Sequence, residues 1–432
     1  MKLELDRLVA DSQERMLPDL IRRHVIAPRA PGNALAVIGM RRTGKTWFCY
    51  QQMQDLMSEG VARERMLYMN FEDERLLAFS ANDFQPLLDA FYRRNPAVID
   101  TECHFFFDEI QEVEGWPHFI RRLLDQGNAQ ITITGSSARL LSAEIHTSLR
   151  GRALPCEIFP FSFSEYIAAV GGEHPSRVPS SKQRLMVEAT CLSYMLTGGF
   201  PGVVSLDAST QRQMLQQYLD VVILRDVIER HGVTSVPALR ALVRHVIHAP
   251  ATRLSINKIY NDFRSRGLSC SKNSLHAFMD HLADAYLLYQ VPIHTRSERI
   301  RRANPQKVYL VDTGLLSAAS ADTTSDRGAM LENLVFLHLR RTGAIIEYFH
   351  ASKGIETDFV VRDPMSGAIT ELIQVCWSLE SPATLQRELR GLRAAMAELG
   401  CPHGTIVSWQ EESALVADED ISVIPAWRFV LR

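Results

Sequence analysis

Three apolar residues, Ala36 to Ile38, run into Gly39-Met40-Arg41-Arg42-Thr43-Gly44-Lys45-Thr46, and a segment able to continue as a helix, Trp47 to Met57, follows. This order constrains the chain more than any other feature. A buried strand, a loop matching G-x-x-x-x-G-K-[ST] and a helix are what a phosphate-binding turn requires. Gly39 and Gly44 let the backbone turn tightly, so that successive N–H groups face a phosphate chain. The helix N-terminus adds partial positive charge. Lys45 is placed to reach β- and γ-phosphates, and the Thr46 hydroxyl to ligate Mg²⁺. The expectation is a site for ATP and Mg²⁺ built on residues Gly39, Met40, Arg41, Arg42, Thr43, Gly44, Lys45 and Thr46.

Later segments supply the other parts such a site needs. His104-Phe105-Phe106-Phe107-Asp108-Glu109 reads as a buried strand ending in two acids. Asp108 is the candidate second metal holder, and Glu109 the candidate that orients the attacking water or takes its proton. Met66 to Phe71 is a shorter strand, and the Glu72-Asp73 pair after it either orders metal or water or caps the next helix. Gln130 to Thr134 is a further buried strand. At its tip Ser136 is the candidate γ-phosphate sensor, with Thr134 second; the alternative is a serine turn capping a helix from Ala138 to Ser148. Arg152, with Arg150 in reserve, precedes a strand from Ala153 to Phe159. It reads either as an arginine reaching a neighbouring subunit's γ-phosphate or as a salt bridge closing the sheet. Nearer the start, a helix is expected from Leu17 to Val25, packed against the nucleotide edge; Arg22 and Arg23 either serve that contact or, as the favoured reading, lie on a solvated helix face.

The motifs Gly39 to Thr46, Phe106-Phe107-Asp108-Glu109-Ile110-Gln111, Thr134-Gly135-Ser136-Ser137, Leu149-Arg150-Gly151-Arg152 and Pro160-Phe161-Ser162-Phe163-Ser164-Glu165 occur in that order. Together they resemble a bacterial and archaeal family of AAA-type ATPases, closely over about the first two hundred residues. The resemblance implies ATP, Mg²⁺ and the roles just given to Lys45, Thr46, Asp108 and Glu109. The turn Gly198-Gly199-Phe200-Pro201 is similar to one in the helical lid of origin-recognition and signal-transduction relatives, where it lies against the nucleotide. Gly199 would permit close approach and Pro201 offer a face to the base; an ordinary helix terminator reads the same way.

The expected fold class is α/β: a P-loop NTPase parallel sheet with a helical lid, followed by a winged-helix domain and a small α/β nuclease-like domain. The boundaries fall at 1–165, 166–232, 233–325 and 326–432. In the third part, helices Val236 to His248 and Ser255 to Arg266 and a third opening at Ser269 to Ser274 precede two strands, Leu287 to Ile293 and Lys307 to Val311. Lys272, Asn273 and Ser274 are candidates for a DNA groove. The basic wing (Arg296, Arg299, Arg301, Arg302, Lys307) is a candidate for phosphates; protein contact or solubility are the alternatives. In the fourth part, Glu332, Asp358 and Gln374-Val375-Cys376 resemble the PD-(D/E)XK nuclease core. Gln374 stands in place of an acid and Cys376 in place of the lysine, which argues against cleavage. Lys353 is a candidate migrated lysine.

A net charge of −3 over 432 residues excludes a chain that binds nucleic acid through bulk charge. The seven cysteines form no C-x-x-C pair, which argues for buried thiols in a reduced, cytoplasmic protein. The first residues, Met1 to Arg15, are amphipathic and charged, with no apolar signal core, and no run is long enough to span a bilayer. The leading expectation is a Mg²⁺-dependent ATP hydrolase, homo-oligomeric, that couples ATP to conformational change or assembly on DNA. The alternatives are a nucleotide-dependent switch gating a protein partner and a DNA nuclease effector.

Overall fold

In the computed structural model, residues 2–135, 149–319, 327–350, 356–412 and 420–432 are described below. The chain divides into two compact units, Met1–Phe159 with Asp284–Tyr286, and Pro160–Ala283 with Leu287–Arg432.

The first unit contains α1 (Lys2–Glu14), β1 (Ala34–Ile38), α2 (Lys45–Ser58), β2 (Met66–Asn70), α3 (Phe84–Arg94), β3 (Cys103–Asp108), α4 (Trp116–Asp125), β4 (Ala129–Thr134) and β5 (Ala153–Glu157). The strands form one sheet in the order β2-β3-β4-β1-β5, and every pairing is parallel. Every residue of β1 and β3 is buried, as their unbroken apolar runs require of strands covered on both faces. β4 lies between β1 and β3, so the ends of three adjacent strands converge on the loop that follows Ile38. Aromatic packing fixes the interior: Phe84 stacks on Phe119 with ring centroids 4.1 Å apart, and Phe107 meets Phe119 edge-on at 5.7 Å.

The first helix differs from expectation. Residues Lys2–Glu14 are helical, and Leu17 to Val25 are not. Leu5, Leu8 and Val9 of α1 pack into the same core as Phe91. The next segment is held open because the Gln51 side chain takes both backbone groups of Arg23. Arg23 N–H donates to Gln51 Oε1 at 2.7 Å, and Gln51 Nε2 donates to the Arg23 carbonyl at 3.1 Å. Those groups are then unavailable to a helical ladder.

The second unit opens with helices α5 (Phe163–Ala169), α6 (Ser181–Thr197) and α7 (Ala208–Val221), the last continuing as a π-helical stretch, Val222–Glu229. The first two have local start signals: Ser162 with Glu165 and Ser180 with Gln183 form capping boxes. Next come α8 (Val236–Ile247), β6 (Arg253–Leu254), α9 (Ile256–Ser265), α10 (Lys272–Asp284), β7 (Leu288–Val291), α11 (Glu298–Ala303) and β8 (Gln306–Leu310). The sheet β6-β8-β7 is antiparallel. The basic stretch, expected as a wing between two strands, contains α11, whose N-cap Ser297 accepts the Ile300 N–H. The chain ends with α12 (Thr313–Ala319), α13 (Arg327–Arg341), β9 (Ile345–His350), β10 (Glu356–Arg362), β11 (Ile369–Cys376), α14 (Pro382–Leu399), β12 (Gly404–Ser408), β13 (Ile421–Pro425) and α15 (Ala426–Phe429). This second sheet has the order β13-β12-β11-β10-β9; β9, β10 and β11 are antiparallel and β11, β12 and β13 parallel. Among the described residues no helix is long and apolar enough to cross a membrane. All seven cysteines are free thiols, five of them buried.

Candidate active site at the phosphate loop

The loop after β1 is closed from several directions. Gly39 has φ 136°, and a Cβ there would lie 2.3 Å from the Ile158 carbonyl oxygen. Only glycine fits that turn against backbone. Thr43 Oγ1 donates to the Met40 carbonyl at 2.9 Å. Gly44 stands at the N-cap of α2, and Lys45 and Thr46 form its first turn. The Lys45 ammonium is buried and donates to the carbonyls of Gly39 and Met40, both at 3.1 Å. It lies within the curl of the loop, where a phosphate would compete for it.

Asp108, at the end of β3, is the hub of the site. Thr46 Oγ1 donates to its Oδ2 at 2.7 Å, and the Tyr68 hydroxyl donates to the same oxygen at 2.6 Å. Thr134 Oγ1 donates to Oδ1. The Glu109 N–H donates to Thr134 Oγ1 at 3.0 Å. Four segments far apart in sequence thus meet at one carboxylate. Burial, then the Asp108 charge, pushes the Tyr68 hydroxyl far above its ordinary pKa, so it remains a donor. Glu109 has left-handed backbone, φ 51° and ψ 44°. A non-glycine residue pays for that conformation with strain of about 1 kcal/mol or more, and such strain gathers at functional sites. Its Oε2 is held by Gln111 Nε2 at 2.5 Å.

The donor set fits a magnesium nucleotide. A hydroxyl and a carboxylate oxygen in direct contact, beside a buried ammonium and a helix N-terminus, are the hard oxygen ligands and anion seat that such a ligand needs.

The comparisons agree with this geometry. A family model described as an AAA domain matches residues 31–167, and one described as a domain of unknown function matches residues 189–326. The uncharacterized protein MJ1544 of Methanocaldococcus jannaschii is 30% identical over 442 residues, spanning 100% of this chain and 96% of its own. An uncharacterized protein of Haemophilus influenzae is 31% identical over 76% of this chain and 78% of its own. The chain belongs to one family with these two proteins, and its residues 31–167 match the AAA domain. Among solved structures, the Walker-type ATPase PABY2304 of Pyrococcus abyssi is similar at 15% identity and a TM-score of 0.39, over 74% of this chain and 95% of its own.

The other expected positions divide clearly. Thr134, second to Ser136 in the sequence reading, sits in the network; Ser136 and its helix lie outside the described residues. Glu72 pairs with Arg41 at 3.3 Å. Asp73 caps a short turn by accepting the Arg75 N–H at 3.0 Å. Arg42 is exposed. The Arg152 guanidinium is half-exposed and pairs with Asp125 of its own chain. Arg22 is solvated beside Asp55, but the same expectation fails for Arg23. Its side chain is buried and donates to the Thr43 carbonyl at 2.8 Å and to the Phe159 carbonyl. Tyr68 was missed, and for Arg23 the less favoured of the two readings, contact at the nucleotide edge, is the one the phosphate-loop contact supports. A strand residue and a loop arginine carry no local signal of the group they reach.

In the second unit, the close approach that Gly199 permits is to Phe161, whose carbonyl oxygen a Cβ would meet at 2.3 Å. The Phe161 N–H donates to the Gly199 carbonyl at 2.6 Å, and the Gly199 N–H donates to Asp312 Oδ2 at 2.7 Å. Pro201 begins the turn that follows. On α10, Lys272 and Asn273 are exposed and Ser274 half-buried. Arg296, Arg299 and Arg302 are exposed. Arg301 turns inward to Glu347 Oε1 at 2.7 Å. Lys307 is 3% exposed and faces acids, so it does not join the basic surface. Lys353 lies outside the described residues.

Proposed function

We propose that the chain is a Mg²⁺-dependent ATP hydrolase that couples ATP binding and hydrolysis to conformational change or assembly on DNA. The observation that carries the reading is the network joining Thr46, Tyr68, Asp108, Thr134 and the Glu109 backbone beside the Lys45 ammonium. In this reading Lys45 and the loop amides bind phosphates, with contributions from Gly39, Met40, Arg41, Arg42, Thr43 and Gly44. Thr46 and Asp108 hold Mg²⁺, which when bound neutralises charge on the phosphates. Tyr68 and Thr134 hold Asp108 in position. Glu109 orients the water and accepts its proton, after its carboxylate leaves Gln111. Ser136 is assigned the γ-phosphate contact, and Arg152 the approach to a neighbouring subunit, which requires release from Asp125. Pro201 is assigned a nucleotide contact as part of a lid; Gly199 is not, because Phe161 and Asp312 take its close approach and its backbone groups.

The DNA part rests on reading α8 to β8 as a winged helix, which their order of helices and strands supports. Lys272, Asn273, Arg296, Arg299 and Arg302 are exposed there. A cavity of about 500 Å³ is lined in part by Ser255, His276, Asp280, Arg301, Arg302 and Asn304. The domain boundaries proposed are 1–165, 166–232, 233–325 and 326–432. The experiment is the ATPase rate, with and without single- and double-stranded DNA, for wild type and Glu109→Gln. Mg²⁺-dependent turnover stimulated by DNA and lost in Glu109→Gln supports the reading. Turnover intact in Glu109→Gln removes the base.

The contact between Glu109 and Gln111 supports a second reading, a nucleotide switch that turns over slowly and gates a protein partner. ADP retained through purification, with no response to DNA, would favour it.

A further inference from the structure

Glu332, Asp358 and Gln374 stand on a helix and two strands where a nuclease-like core would hold a divalent metal. The residues do not fit that metal, because its place among the acids is taken. The Lys307 ammonium, 3% exposed, lies 3.1 Å from Glu332 Oε1, 2.9 Å from Glu356 Oε1 and 2.9 Å from Asp358 Oδ1. Lys307 and Tyr309 are two apart on β8 and share a face, as do Glu356 and Asp358 on β10. Glu332 of α13 meets both residues of the β8 pair, accepting the Tyr309 hydroxyl at 2.7 Å. The second Asp358 oxygen accepts the Val375 N–H at 2.9 Å.

We propose that the Lys307 ammonium replaces a divalent cation among Glu332, Glu356 and Asp358, so that this cluster takes no metal and instead fastens the β6-β8-β7 sheet to α13 and β10. One buried cation bound by three carboxylate oxygens satisfies the acids much as a metal would. A Mg²⁺ ion needs oxygens at about 2.1 Å in octahedral array, and an ammonium in the centre leaves no room for it. The flanking positions supply no further charge, since Gln374 is neutral and Cys376 is a thiol, pushed upward to about 11 by burial. The ammonium lies within ion-pair distance of all three acids, which offsets the cost of burying its charge. Removing one partner of such a buried cluster leaves uncompensated charge, which a metal could then relieve.

The test replaces the ammonium and counts Mn²⁺ without nucleotide by electron paramagnetic resonance. Lys307→Ala should melt below wild type in EDTA. Mn²⁺ should restore several degrees that it does not confer on wild type, and the variant should bind one more Mn²⁺ per chain. Lys307→Arg, which keeps a cation, should bind no more than wild type. A folded Lys307→Ala with no added Mn²⁺ site overturns the proposal. If Lys307→Ala does not fold, wild type and Asp358→Asn decide the matter. Equal Mn²⁺ counts are expected; one fewer in Asp358→Asn means a metal-loaded site and overturns the proposal.

Discussion

Asp108 shows what a single residue can and cannot disclose. Its place at the end of an apolar run, followed by Glu109, was readable from sequence because both signals are local. The three hydroxyls that fix it come from Thr46, Tyr68 and Thr134; Thr46 and Thr134 lie in motifs and Tyr68 does not. Tyr68 sits inside the apolar run Met66 to Phe71, where a hydroxyl reads as one more strand aromatic. Tyr68→Phe keeps the ring and removes the donor. A hydrogen bond to a charged group contributes about 1.5–3 kcal/mol; loss of the lower figure from the transition state corresponds to about a tenfold fall in kcat. Steady-state ATPase assays check this, and unchanged kcat would show that Asp108 does not need the bond. Arg23 is a second case. Arg23→Ala frees the carbonyls of Thr43 and Phe159. It should cost about 3 kcal/mol or more of stability through two lost charged hydrogen bonds and raise the Kd for Mg·ATP. Denaturant unfolding and calorimetry measure both, and an unaltered Kd would mean that the loop holds its shape without Arg23.

At the scale of elements, β1 and β3 of the first sheet were legible because fully buried parallel strands read as continuous apolar runs. The Leu17 to Val25 segment was not, because the Gln51 side chain decides its backbone from a distance. The Gly198-Gly199 turn was legible as a place of close approach; the partner, Phe161, was not. The element that holds this turn is the segment carrying Asp312, whose carboxylate accepts the Gly199 and Gly314 N–H groups at 2.7 and 2.9 Å. Burial pushes Asp312 up to about 7, against the lowering effect of those amides and of Arg341. The folded state therefore holds a proton that the unfolded chain has released from about pH 4 upward. Stability from this group is full below about pH 4, falls as pH rises, and levels off above about pH 7. Asp312→Asn cannot titrate. Urea unfolding at pH 5 and pH 7.5 should show wild type losing stability across that interval by on the order of 1 kcal/mol or more relative to the variant. Parallel pH profiles would contradict the assignment. The variant should also be less stable at both pH values, since an amide nitrogen then faces a backbone N–H.

For the whole molecule, the basic wing teaches the largest lesson. A row of arginines and a lysine reads as one charged surface, yet Arg301 and Lys307 turn to Glu347 and to the Glu332, Glu356 and Asp358 cluster. Sequence alone cannot separate the inward from the outward cations, because the acids that capture them come from later elements. The proposed assembly is testable with mixed subunits. Arg152→Ala should bind Mg·ATP normally and lose turnover, and mixing it with Glu109→Gln subunits should restore part of the rate. Failure of every mixture to restore turnover would leave Arg152 as the surface partner of Asp125.

The central claim is that the loop from Gly39 to Thr46, with Asp108, holds a magnesium nucleotide. Calorimetric titration of the folded chain with Mg·ATP tests it most directly, with Lys45→Ala as the comparison. The account predicts saturable binding at one site per chain that Lys45→Ala abolishes or weakens by at least tenfold. Absence of saturable binding by wild type, or equal affinity in Lys45→Ala, would contradict it.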